Sequence, residues 1–256
     1  MSGLKPFFTI ITVCYNNGKT IRQTIESVLN QSFTDFEYRI IDGQSTDESI
    51  EIIRSFGNQI SWISEADSGI YDAMNKGISL ARGEYIAFLN ADDFYAGPDV
   101  LQAVYETLQQ NPHARAAYGD LAYVNGEDTG KMVRYWKSGT YTLNSFLWGW
   151  MPPHPTFFLS REAFGTFGSF RNEDLRSAAD YELILRMLYK HQLPAGYCRK
   201  LLVMMRTGGI SNQSWGNRLR GNREDRLAWN LNQIRPRWFT FFAKPLRKII
   251  QYFQRP

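Results

Sequence analysis

Gly83-Glu84-Tyr85-Ile86-Ala87-Phe88-Leu89-Asn90-Ala91-Asp92-Asp93 is the stretch that decides the fold of this chain. A glycine and a glutamate open an apolar run, and the run ends on two adjacent carboxylates. An unbroken apolar run of strand length is covered on both faces, which is the situation of a parallel strand. Ligands of open α/β sheets bind just beyond the carboxyl ends of their strands. Asp92 and Asp93 therefore stand where a metal and a phosphorylated ligand would be held. An aspartate after a strand is also ordinary turn chemistry, so the surrounding sequence has to decide.

Upstream, residues 7–14 form a β-branched and aromatic run broken by Tyr15-Asn16-Asn17-Gly18. Ile21, Ile25, Val28 and Leu29 then recur at helical spacing. Glu37-Tyr38-Arg39-Ile40-Ile41 is a second strand closing on Asp42-Gly43, and Ser45 or Thr46 is placed to cap the next helix. Ile60-Ser61-Trp62-Ile63-Ser64 is a third strand, and a helix over 70–81 leads to the fourth, which ends at Asn90. Strands alternating with helices predict a parallel sheet with right-handed crossovers. Downstream the pattern loosens. A helix is expected over 100–110, and strands at 116–118, 121–124 and 131–136. A proline- and aromatic-rich loop follows at 148–155, an amphipathic helix at 181–189, and a strand at 201–205 that runs into a glycine loop. No internal repeat or low-complexity segment interrupts this order.

A chain of 256 residues, 43% of them hydrophobic, with 7 Trp, 14 Tyr and 17 Phe, can bury a sizeable core as one domain or one domain with an appendage. No apolar run reaches the roughly 18 residues of a membrane span, and the N-terminus lacks a signal peptide's apolar segment, so a cytoplasmic chain is expected. Cys14 and Cys198 form no metal-ligand spacing and read as buried thiols. The net charge of +4 is uneven: residues 235–256 hold six basic residues and no acid, which leaves −2 for the rest. The body is not a nucleic-acid binder.

Four ordered motifs now stand together: Ile10-Ile11-Thr12-Val13-Cys14-Tyr15-Asn16-Asn17, Ser27-Val28-Leu29-Asn30-Gln31-Ser32-Phe33, Ile41-Asp42-Gly43-Gln44-Ser45-Thr46-Asp47, and the 83–93 stretch. With them the chain resembles a family 2 glycosyltransferase of the GT-A type, as found in bacterial surface-polysaccharide synthesis. The resemblance is dense over the first 95 residues and thinner beyond. It implies a Rossmann-like, mostly parallel sheet flanked by helices, with a less regular acceptor-binding half and a basic helical tail. Residues 1–115 would be the nucleotide-sugar half, 116–214 the acceptor-binding and catalytic half, and 215–256 a basic-aromatic extension. The implied reaction is inverting transfer from a UDP- or GDP-linked sugar to a saccharide acceptor, assisted by Mn2+ or Mg2+.

The same resemblance assigns residues. Asp92 becomes the metal-binding aspartate of an Asp-x-Asp signature whose first position here is Asn90, with Ala91 between them; Asp93 either supports the metal or serves the turn. Asp42 would pair with N–H donors of the base; the family commonly has two acids there, and this chain has Asp42-Gly43. Cys14, Tyr15 and Asn16 would border the base, though Tyr15-Asn16 also suits a plain turn. In the glycine-opened helix after Asp67, the residues Asp72, Asn75 and Lys76 fall on neighbouring positions near the donor phosphates, or on a solvated face. Asp180 matches the family's catalytic base and equally suits a helix N-cap, with Glu173 and Asp174 as fallbacks. His154 would line the acceptor pocket or simply brace its proline loop. Arg206, with Gly208-Gly209-Ile210-Ser211, resembles a loop that closes on the diphosphate.

Aromatics and cations without acids, as in residues 238–253, compose an interfacial segment; Pro245 splits it into short pieces. Contact with the cytosolic face of the inner membrane and a lipid-linked acceptor would follow; packing on the core or a dimer contact are the other uses of such a tail. Two rival functions remain. A sugar nucleotidyltransferase would want a glycine-rich basic loop after the first strand, of which Tyr15-Asn16-Asn17-Gly18-Lys19 is a poor version. A catalytically silent sugar-nucleotide or lipid-binding protein would need no base.

Overall fold

The computed structural model describes residues 5–208, 215–252 and 254. In the first half β1 (Phe8–Cys14), α1 (Ile21–Leu29), β2 (Phe36–Asp42), α2 (Ser49–Ser55), β3 (Ser61–Ser64), α3 (Ile70–Leu80) and β4 (Tyr85–Phe88) alternate as the sequence pattern predicts. β2 and β4 lie parallel to β1 on either side, and β3 lies parallel to β2. Every residue of β1 is buried, and successive side chains alternate between two layers. Phe8, Ile10 and Cys14 face the layer that includes α1, whereas Ile11 and Val13 face the layer that includes α3. Both layers are apolar, which is why no polar face interrupts these strands.

Close approach explains two glycines. A Cβ on Gly83 would stand 2.5 Å from the backbone of Phe8 and Thr9, and the Gly83 N–H donates to Thr9 Oγ1 at 2.8 Å. The deciding stretch therefore opens on a glycine because β4 enters against the backbone of β1. Gly69 precedes α3 at φ 129°, a left-handed conformation that favours glycine, and so starts the helix sharply after β3.

The second half comprises β5 (Phe94–Tyr95), α4 (Val100–Gln110), β6 (Ala116–Val124), β7 (Met132–Trp136), α5 (Leu143–Leu147), β8 (Phe158–Ser160), α6 (Arg161–Phe167) and α7 (Ala179–Ile184). α7 continues as a π-helical turn at Leu185–Lys190, followed by β9 (Ala195–Arg206), α8 (Trp215–Leu231) and α9 (Thr240–Ile250). Among the described residues the strand order is β3-β2-β1-β4-β8-β6-β9-β5, with β7 on β6. β8 runs antiparallel to β4 and β6, so the sheet is parallel at one end and mixed at the other.

Four local expectations are corrected. The strands at 116–118 and 121–124 are one strand, β6, whose register against β9 shifts around Asp120; Gly119 fits there because Leu202 packs on it. Neither Ser45 nor Thr46 caps α2, which starts after Glu48; Ser45 is bound to Asp42 instead. Asp180 is not an N-cap: that position is Ala178, and Asp180 lies in the first turn of α7. The stretch 181–189 is not amphipathic, since Tyr181 through Leu188 are all buried. Glu182 and Arg186 neutralise each other inside, with N–O distances of 3.0 and 2.9 Å.

The tail packs on the core, and α9 runs through Pro245 as one helix instead of the short pieces expected. Thr240 is buried, the Trp148 and Phe239 rings lie 4.4 Å apart, and Gly149 meets the backbone of Lys244. Tyr135 N–H donates to Gln251 O, extending the edge beside β7. Among the described residues no helix is long and apolar enough to cross a membrane.

Candidate functional site

The carboxyl ends of β1, β2 and β3 bring Cys14, Asp42 and Ser64 side by side in register. Asp42 is fully buried. Its Oδ1 accepts from Ser45 Oγ at 2.5 Å, and its Oδ2 from Ser45 N at 3.0 Å and Ser64 Oγ at 2.7 Å. Asp42 thus organises the loop after β2, with all of its near partners already protein groups. Burial pushes the Cys14 thiol up to about 11, so it stays a neutral thiol at this strand end.

Two loops are laced across these strand ends. Asn16 N–H donates to Ser45 Oγ and Thr46 N–H to Asn16 Oδ1, both at 2.8 Å; Gly18 N–H donates to Asp47 Oδ2. Asn16 holds a left-handed φ of 53°, which asparagine tolerates. Tyr15 is 62% exposed and its ring flanks Gly43, where the Asp67 carboxylate also approaches. An exposed aromatic ring beside a bare backbone and a carboxylate suits a flat nitrogenous base.

After β4 the chain turns at Asn90, with Asp93 N–H donating to Asn90 O. Ala91 is buried, and Thr24 of α1 donates to the carbonyls of Ala91 (3.0 Å) and Asp93 (2.6 Å). Asp93 is fully buried; burial first, then the Asp92 charge, pushes its carboxyl well above the usual range. It accepts from Asn90 Nδ2 and Arg206 N, both at 3.3 Å, and serves the turn. Asp92 is half-buried, and burial raises its carboxyl as well. Among the described residues its carboxylate has no hydrogen-bond partner from another residue, and the neighbouring Asn90 Oδ1 is buried without one. These two unclaimed hard oxygens fit a divalent cation that takes its remaining ligands from a diphosphate. No group of three His, Cys, Asp or Glu side chains gathers for a metal among the described residues.

Arg206, at the end of β9, is only 9% exposed. Its guanidinium donates to Asp92 O and Gln23 Oε1 and lies 5.0 Å over the Phe94 ring, so it braces the Asp92 turn. Of the loop after it, Gly209, Ile210 and Ser211 lie outside the described residues.

Along α3, Asp72 Oδ2 accepts from Ser68 N–H, and Lys76 bridges Glu65 (3.0 Å), Asp72 (3.7 Å) and Ala66 O (2.6 Å). The hydrogen bond to Glu65 leads the causes that lift its ammonium above its ordinary value. Lys76 is thereby committed to local acids. Asn75 turns the other way, to the segment before α7: it donates to Phe170 O at 2.9 Å and accepts from Phe170 N at 3.0 Å.

That segment delivers Asp180, which is partly exposed and accepts from Tyr71 Oη at 2.9 Å. His154 stacks on Phe88 at 5.6 Å, two residues before Asn90, and burial lowers its imidazole while the Asp180 charge opposes this. Through Tyr71 and Phe170, which packs on both His154 and Phe88, one run of aromatic rings links Asp180 to the end of β4. Glu173 and Asp174 are exposed on the turn before α7. Tyr71 is the residue that the sequence reading missed: as an apolar helix position it carries no signal until Asp180, 109 residues on, is placed against it.

The chain is similar to several known glycosyltransferases. A glycosyltransferase of Mycobacterium bovis named for PGL/p-HBAD biosynthesis is 29% identical over 212 residues, 81% of this chain and 80% of that one. Chondroitin synthase of Escherichia coli is 28% identical over 71% of this chain and 26% of its own length. A solved chain of S. aureus TarS in complex with UDP has a TM-score of 0.65 at 19% identity, covering 86% of this chain; this chain spans 64% of it. Mannosyltransferase PcManGT from Pyrobaculum calidifontis, in complex with GDP-Man and Mn2+, has a TM-score of 0.61 at 16% identity, with 95% and 65% covered. Residues 9–168 match the glycosyl transferase family 2 pattern, and on that match, over more than half its length, the chain belongs to this family of GT-A-type transferases.

Proposed function

We propose that the chain is a metal-dependent, inverting glycosyltransferase of bacterial surface-glycan synthesis, moving a sugar from a UDP- or GDP-linked donor to a saccharide hydroxyl. One observation carries this reading: a partly exposed carboxylate, Asp180, held by Tyr71, whose ring packs through Phe170 on Phe88, two residues before the turn at Asn90 to Asp93. The relatives' names supply the biosynthetic context, and the solved relatives' nucleotides, UDP and GDP-Man, supply the donor class.

The acceptor oxygen attacks the anomeric carbon as the bond from that carbon to the diphosphate oxygen breaks. Asp180 takes the hydroxyl proton, and the nucleoside diphosphate leaves from the opposite face. Configuration inverts in this one displacement, without a covalent intermediate. Asp92 and Asn90 would hold Mn2+ or Mg2+, which offsets the charge on the leaving diphosphate when bound. Cys14, Tyr15, Asn16 and Asp42 shape the base side; Asp72, Lys76 and Arg206 hold the donor side in form, Asn75 ties the helix between them to the Asp180 segment, and His154 borders the acceptor.

Calorimetry of UDP and GDP, each with and without manganese, tests the donor site. The expected result is metal-dependent binding of one nucleotide, weakened at least about tenfold in Asp92→Ala, a loss of about 1.4 kcal/mol. Binding of neither nucleotide under any condition would sink the donor-site assignment.

The acceptor in this reading is lipid-linked and met at a membrane surface. Trp238 (84%), Phe242 (64%) and Trp148 (57%) are exposed beside exposed Arg235, Arg237 and Arg247. Exposed aromatics enter a headgroup boundary, and cations meet anionic lipid at about 1 kcal/mol each. The wild type should co-sediment with phosphatidylglycerol-containing vesicles and not with pure phosphatidylcholine. Trp238→Ala combined with Phe242→Ala should lose this binding, and equal binding by that double variant would refute the assignment.

A further inference from the structure

Helix α3 reaches the segment of Asp180 at two points one turn apart. Tyr71 Oη donates to Asp180 Oδ1 at 2.9 Å, and Asn75 grips both the N–H and the carbonyl of Phe170. The Tyr71 ring stacks on Phe170 with centroids 5.4 Å apart and is only 8% exposed. Burial first, then the Asp180 charge, raises the phenol well above its ordinary value, so it donates to the carboxylate as a neutral hydroxyl. Among the described residues Asp180 Oδ2 accepts no hydrogen bond, which leaves that oxygen for an incoming hydroxyl. The titratable groups facing the pair from the packed elements are His154, on the turn against Phe88, and Glu224, on α8.

We infer that Tyr71 is the positioning residue of Asp180, so that the helix bordering the donor also aims the carboxylate that serves the acceptor. This rests on the reading of Asp180 as the base. It gives Gly69-Ile70-Tyr71-Asp72-Ala73-Met74-Asn75 a role other than phosphate binding. Tyr71 and Asn75 point to the acceptor side, while Asp72 and Lys76 hold the loop before the helix.

Tyr71→Phe tests the assignment, since it keeps the ring stack and removes only the hydroxyl. A lost hydrogen bond to a charged group should lower kcat about tenfold to a hundredfold, with donor KM, nucleotide affinity and melting temperature unchanged. A variant with wild-type kcat overturns the inference. So does one whose lost activity follows a lower melting temperature or weaker nucleotide binding, which marks a merely structural tyrosine. Asp180→Asn run alongside separates the two claims: if it turns over normally the base reading fails, and if it is inactive while Tyr71→Phe is normal only the positioning role fails.

Discussion

Asp180→Asn should lower turnover by about 10² to 10⁴-fold, the range in which a positioned general base contributes, while nucleotide affinity stays at the wild-type level. The amide is nearly isosteric. Its oxygen can still accept from Tyr71 Oη, so the wall of Tyr71, Phe170 and His154 keeps its packing. What disappears is the capacity to take a proton as the acceptor oxygen attacks. The donor site, on the turn at Asn90 to Asp93 and the loops after β1 and β2, is built from other segments and should not register the change. In kinetic terms kcat and kcat/KM should fall together, which marks an interaction made in the transition state. Initial rates with a labelled donor, beside calorimetry of the nucleotide, measure both halves. Retained turnover would exclude Asp180 and return attention to Glu173 and Asp174, which are exposed on the preceding turn. Lost nucleotide binding would instead mean that the substitution acts through the fold.

The parallel half was legible because each strand there is covered on both faces and each connecting helix has one apolar stripe. α1 buries Ile21, Thr24, Ile25 and Val28, a pattern visible without coordinates. The strand ends followed from the same rule, and with them Asp42 and Asp92. Less was legible where long-range contacts decide what a charged residue does. Lys76 reads as a phosphate ligand until Glu65 and Ala66 are seen to hold it, and Arg206 until Gln23 and the Asp92 carbonyl are. The helix at 181–189 was expected to be amphipathic, and Glu182 and Arg186 are buried, because two charges one turn apart look the same in sequence whether they meet in water or in the core. β6 was cut in two at Gly119-Asp120, residues that ordinarily punctuate a strand, because only the partner β9 reveals the register shift they serve.

Glu182→Ala should be the most destabilising substitution near the site, by about 3–5 kcal/mol, the cost of breaking one side of a buried ion pair. Glu182 is fully buried, accepts from Arg186 Nε and Nη2 and from Asn232 Nδ2 at 3.0 Å, and forms an ion pair with Arg171 at 3.4 Å. The Arg186 side chain is itself only 4% exposed and donates onward to the carbonyls of Phe167, Gly168 and Ser169. Alanine would leave that guanidinium buried with its carbonyl partners and no counter-charge, and would strand the Asn232 amide. A typical domain is stable by about 5–15 kcal/mol, so the variant should lose a large share of that margin. Urea unfolding of wild type and variant measures the loss. Removing both charges, as Glu182→Leu with Arg186→Leu, should destabilise less than Glu182→Ala alone, because no unpaired charge remains in the core. If the single variant lost under about 1 kcal/mol, the pair would be behaving as an exposed one. The position of Glu182 gives this a functional reading: it lies two residues beyond Asp180 on α7, and its tie to Arg186 fixes that helix against the carbonyls after α6. Tyr71 can aim Asp180 only if the helix carrying it is already anchored, and the buried pair is that anchor.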